Sequence, residues 1–187
     1  TSKGAFSSGI HGYELILGEY FEAVDPEEMT VTALGVIALA AVYEPKKERD
    51  RAVVPHTLKR LARVGREVCA GIHDAEKEYG IRPLSKQFEF HLSVSLLDWM
   101  NGRPFSEVVS ESGVDEGEFI RYLRMTVQVL RELSASSISK PLKQSVREAI
   151  ERINRDDVDA ESQLLQITEL ELEEWQAEEE PSDGREE

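Results

Sequence analysis

Ile120, Leu123, Val127 and Leu130 recur at three- and four-residue spacing, the stripe that one side of a helix buries. Arg121, Arg124, Met125 and Gln128 keep the same spacing. At about 100° of turn per residue, this second stripe lies beside the first rather than diametrically opposite. Asp115 with Glu118 three residues on is a capping-box pattern, so a helix is predicted from Asp115 to Leu133. One side packs; the other offers two guanidinium groups, a thioether and an amide.

The same periodicity runs through most of the chain. Tyr13, Leu15, Ile16, Leu17, Tyr20 and Phe21 suit a mostly buried helix. Asp25-Pro26-Glu27-Glu28 supplies an N-cap, a proline for the first helical position and first-turn acids, predicting a helix from there to Tyr43. Its small residues Ala33, Gly35, Ala38 and Ala40 would let another helix approach closely. Beyond the charged connector 44–51 and Pro55, Leu58, Leu61, Val64, Val68 and Ile72 mark a long helix. Phe88, Phe90, Leu92, Val94, Leu96, Leu97 and Trp99 are assigned to the next, closed by Asn101-Gly102. A short helix from Pro104 to Gly113 leads into the Asp115 helix, an arrangement similar to a helix-turn-helix, although packing alone produces it as readily. Leu142, Val146, Ile150 and Ile153 form a further stripe, and Leu164 through Trp175 another. Nothing alternates in the manner of a strand and no fixed-period repeat is visible. The expected fold is all-α, a single bundle of about seven helices. Residues 1–11 are a leading segment, 12–176 the helical domain and 177–187 a tail.

Charge refines this picture. The formal net charge is −15 over 187 residues, and residues 169–187 hold ten acids against Arg185 alone. The acidity is therefore mostly terminal, and the tail, poor in apolar residues, is expected to be disordered. The single cysteine, Cys69, excludes an internal disulfide, and no apolar run reaches the roughly 18 to 20 residues of a membrane span. A soluble cytoplasmic protein is expected. Thr1-Ser2-Lys3-Gly4 resembles neither a signal peptide nor a translation start, as if cut from a longer polypeptide.

Candidate chemistry is sparse. No G-x-x-x-x-G-K-[ST] loop is present, so the chain is not expected to hydrolyse ATP by itself or to hold a cofactor. Cys69 and His73 could supply half a metal site but lack a second pair of suitable spacing, and no metal centre is expected. Lys59, Arg60, Arg63 and Arg66 make the most basic helical stretch, readable as a phosphate-contact patch or as a solvated face balanced by nearby glutamates. Arg121 and Arg124 suit bidentate phosphate contacts and base stacking, with Met125 and Gln128 as sequence-tolerant neighbours.

Three passages together resemble a known family. Lys3-Gly4, Ile10-His11-Gly12-Tyr13-Glu14-Leu15 and Val42-Tyr43-Glu44-Pro45-Lys46 are similar to the opening of the C-terminal helical (DSHCT) domain of Ski-type DExH-box RNA helicases. Trp99-Met100-Asn101-Gly102-Arg103-Pro104-Phe105-Ser106-Glu107 and Asp115-Glu116-Gly117-Glu118-Phe119-Ile120-Arg121 resemble its W-x-x-G-x-x-F-x-E and E-G-x-x-I-R signatures. Ile153-Asn154-Arg155-Asp156-Asp157-Val158 resembles its terminal I-x-R-D-x-V. The resemblance covers about residues 1 to 168. It implies a domain that follows a winged-helix domain and sits beside the motor domains of the same polypeptide, closing a ring around single-stranded RNA that the motor moves 3′ to 5′. ATP and Mg would belong to that motor. The Asp115 helix would be the ratchet helix lying along the strand; Arg121 and Glu44 match family positions at the RNA. Met125 and Gln128 stand where other members carry arginine and glutamate, a departure from the pattern. The alternative is a helical protein–protein interaction module without direct nucleic-acid contact.

Overall fold

The computed structural model describes residues 11–46 and 52–159. Seven α-helices lie among them: α1 (Glu14–Ala23), α2 (Val31–Val42), α3 (Lys59–Glu78), α4 (Ser93–Met100), α5 (Phe105–Ser112), α6 (Glu116–Ala135) and α7 (Lys140–Ile153). Short 3-10 turns form at Pro26–Glu28, His56–Leu58 and Asp156–Val158, and no strand occurs among the described residues. The protein has the all-α class its periodicity predicts. The expected helix through Leu164 and Trp175, the acidic tail and residues 1–10 lie outside the described residues.

All ten residues from Ala33 to Val42 are buried. A helix apolar on every side has to sit inside, and α2 packs against α4, α6 and α7. Gly35 permits the closest crossing: a Cβ there would stand 2.9 Å from Met100 Sδ and 3.3 Å from Ile153 Cδ1. The centre of the bundle thus belongs to α2, with α6 and α7 packed against it and against each other.

Two helices begin later than the apolar pattern suggests. Asp25 accepts a hydrogen bond from Glu27 N at 3.0 Å, but only the 3-10 turn Pro26–Glu28 follows. Met29 then turns the chain, and Thr30 recaps it by accepting from Ala33 N at 3.3 Å, so the long helix starts at Val31. Phe88 and Phe90 are not helical. They are buried at alternate positions of an extended segment, and Glu89 N donates to Ala40 O at 2.8 Å. Their rings lie over Gly65 of α3, where a Cβ would meet Phe88 at 3.1 Å and Phe90 at 3.4 Å. Two large rings two residues apart point to the same side only in extended backbone, and α4 starts at Ser93 once that packing is complete.

α1 and α3 form a pair, held together in part by Tyr20, which donates to Leu61 O at 3.4 Å, and Tyr20 reaches beyond the pair to pack edge-on against Phe88. Leu15, expected inside, is 45% exposed at the outer side of this pair. At the other end Trp99 is fully buried and its indole N–H donates to Ile153 O at 2.9 Å. Arg155 stacks 3.4 Å from the centre of that ring and donates to Trp99 O at 2.9 Å and Arg103 O at 3.1 Å. Arg103 in turn bonds Asp98 at 2.8 Å and both oxygens of Glu111 at 3.0 and 2.9 Å. These side chains clasp α4, α5 and α7, which leaves the nearby long helix to carry the exposed chemistry.

Candidate nucleic-acid interface

Asp115 caps α6 by accepting from Glu118 N at 2.8 Å. The Glu118 carboxylate pairs with Lys46 Nζ at 3.1 Å, and that bond is the main cause of the raised Lys46 pKa. The buried side of α6 holds Phe119, Tyr122, Leu123, Thr126, Val127, Val129, Leu130 and Leu133, and Ile120 is only half-buried. It is wider than the predicted stripe because α2 and α7 both seat on it. The exposed strip of Gly117, Arg121, Arg124, Gln128 and Arg131 is therefore opposite the packed side rather than beside it. Met125 sits half-buried at its edge.

The two arginines predicted as a pair have different roles. Arg121 is exposed, its guanidinium carbon 4.3 Å from the Tyr122 ring centre and Nη1 3.8 Å from Met125 Sδ. No ion pair joins it to an acid among the described residues. Arg124 instead donates from Nε to Val158 O at 3.0 Å and from Nη2 to Asp157 O at 2.9 Å. It anchors the segment after α7, where carbonyls approach the helix side, and so departs from the expectation of a second strand-facing cation. Gln128 donates to Glu132 Oε1 at 3.0 Å. Arg131 extends the exposed strip by three residues and was legible in the sequence as its continuation.

Glu44 is brought to this helix from 78 residues away: Tyr122 Oη donates to Glu44 O at 2.8 Å, and the Tyr43 and Tyr122 rings stand 4.8 Å apart. The Glu44 carboxylate pairs with Lys86, whose raised pKa follows chiefly from that hydrogen bond. The Lys86 ammonium lies 5.4 Å from the centre of the Tyr13 ring. Further back, His11 N donates to Glu132 Oε2 at 3.0 Å. Lys86 lies in irregular backbone that neither the periodicity nor the family-like passages mark, whereas His11, Tyr13 and Lys46 stand in those passages and only their partners could not be read from them.

On α3 the basic residues are exposed but partly engaged. Arg60 pairs with Glu28, Arg63 with Glu67 at 3.3 Å, and Arg66 lies 5.9 Å from the Phe90 ring centre. Lys59 is exposed. These residues belong to the α1–α3 pair, not to the α6 strip. Cys69 is buried and burial pushes its thiol pKa up, while His73 Nε2 lies 2.7 Å from Ser85 O. Among the described residues no three metal-ligating side chains cluster. Nor is any helix there long and apolar enough to cross a membrane. An open groove of about 620 Å³ runs between α1 and α3, with Leu15, Val68, Ile72, Tyr79 and Ile81 among its lining.

A family model described as the DSHCT (NUC185) domain matches residues 1–160. Superkiller complex protein 2 of Mus musculus and that of Homo sapiens are each 24% identical over 166 residues, covering 83% of this chain and 13% of the relative. The mRNA transport homolog 4 of Caenorhabditis elegans is 40% identical over 70 residues, 36% of this chain and 7% of that protein. The chain spans a small part of the length of the curated relatives it matches.

Proposed function

The chain belongs to the DSHCT (NUC185) domain family, and we propose that it is the non-catalytic RNA-binding domain of an ATP-dependent 3′–5′ DExH-box RNA helicase. Motor domains elsewhere in the same polypeptide would bind ATP and Mg and do the chemical work. This domain would guide single-stranded RNA past them along the exposed strip of α6.

The observation that carries this function is the state of Arg121: exposed, with no acid paired to it among the described residues, on a helix whose other side is locked into the bundle. A guanidinium supported on an aromatic ring and a thioether can receive a phosphate bidentately or stack on a base without first breaking an ion pair. Gln128 and Arg131 continue the strip over about 15 Å from Arg121. Because few cations line it, binding should weaken only moderately as salt rises.

Arg121→Glu tests the assignment, since an exposed side chain can be reversed without disturbing the core. The variant should keep its thermal midpoint, lose about five- to tenfold in affinity for an oligouridylate, and slow unwinding when placed in the full-length helicase. Unaltered binding and unwinding would remove the assignment. The alternative of a protein-interaction module draws on the α1–α3 groove, where Leu15, Tyr79 and Ile81 are exposed. Ultraviolet crosslinking of RNA to the whole chain separates the two, because only the RNA-guiding role places adducts on α6.

A further inference from the structure

The strip on α6 has a neighbour assembled from three separate stretches of the chain. The contacts of His11, Tyr13, Lys86 and Glu44 form a continuous strap beside it. His11 N binds Glu132, Tyr13 lies under the Lys86 ammonium, Lys86 pairs with Glu44, and Glu44 O receives the Tyr122 hydroxyl. The strap thus meets α6 at Tyr122 and again at Glu132, residues that the helical rise sets about 15 Å apart. Met125, Gln128 and Val129 lie between those two attachments. Gly12, at φ +83°, makes the bend between His11, which meets α6 at Glu132, and the start of α1.

We propose that this strap is a second wall of the single-strand path, with the Tyr13 ring as a stacking surface for a base and Lys86 as a phosphate contact. The inference rests on the assignment of α6 as the RNA-facing helix. Tyr13 is only partly buried, and the Lys86 and Glu44 side chains are 49% and 58% exposed. An exposed ion pair contributes little stability, so a phosphate can take Lys86 from Glu44 at small cost. An aromatic ring beside a lysine is also the combination that binds single strands without regard to sequence, since every base has a π-face. A strand held between the Tyr13 side and the Arg121 side would be gripped from both edges, which a single helix strip cannot do.

The experiment uses the full 187-residue chain and an oligouridylate carrying 4-thiouridine, with adducts mapped to peptides and affinity measured in parallel. Adducts are expected on the peptide containing Tyr13 as well as on α6. Tyr13→Ala should weaken binding about fivefold or more, Tyr13→Phe should restore it, and Lys86→Glu should weaken it comparably. Tyr13→Phe controls for folding, because it keeps the ring and its packing. If Arg121→Glu impairs binding while Tyr13→Ala and Lys86→Glu do not, the strap is off the path and only this inference falls. If none of the three variants changes binding, the RNA assignment of α6 falls with it. Adducts confined to α6 would also overturn the second wall.

Discussion

Glu76 shows how much a single buried acid can be asked to hold. It is 7% exposed, and its carboxylate accepts from Ser85 N at 2.9 and 3.1 Å and from the Ser85 hydroxyl. Those bonds, the hydroxyl's first, hold its pKa below the usual glutamate value. A lowered folded pKa means that the unfolded state binds the proton more readily. Stability from this group is therefore complete above the unfolded value of about 4.3 and lost as pH falls through the folded one. Glu76→Gln should lower the thermal midpoint at pH 7 and flatten its decline below about pH 5; an acid limb parallel to the parent's would show that other carboxylates govern it. At this scale the sequence distinguishes Arg121 from Arg124 poorly. Both have helical spacing and equal chemistry, and only the return of Asp157 and Val158 to α6 decides that one guanidinium holds backbone carbonyls.

α6 is well specified by its own residues because its start is local chemistry. Asp115 needs only the amide three residues ahead, and the apolar positions need only the helical period. Asp115→Ala should cost about 1 kcal/mol, read as a lower denaturation midpoint with an unchanged slope. A change in slope instead would mean that the cap shapes more than the first turn. The width of the packed side was not legible in the same way. The predicted stripe shows one contact surface, whereas α2 and α7 together occupy most of the helix and push the polar residues to the far side. The segment holding Phe88 and Phe90 failed for the opposite reason. A dense apolar run satisfies both periods, and the Gly65 surface that selects the extended form is over twenty positions away in sequence.

Across the whole molecule the buried residues of the α1–α3 pair and of the α2, α4, α6 and α7 bundle belong to one connected core. Tyr20, Phe88 and Phe90 provide the connection, together with the hydrogen bond from Glu89 N to Ala40 O. A single core should melt as one unit, so far-ultraviolet ellipticity and the fluorescence of buried Trp99 should report the same midpoint in urea. Two midpoints would mean that the α1–α3 pair opens separately, taking the groove with it. The clasp of Trp99, Arg103 and Arg155 also belongs to this scale: these three signature residues turn out to fasten helices, while Arg121, from another signature, lies on the surface that the fastening leaves open.

The order of amino acids was enough to set the all-α class, the approximate span of most helices, the cap at Asp115 and the polar strip on α6, because each depends on neighbours within a turn or two. The family relationship was legible for a similar reason, as short signatures in a fixed order. The tertiary structure alone placed Glu44 beside Tyr122, assigned Arg124 to the segment after α7, and brought His11 to Glu132 and Tyr13 to Lys86. Those outcomes depend on side chains that meet across 33 to 121 residues of chain, and no local period records which distant partner will fill a given contact.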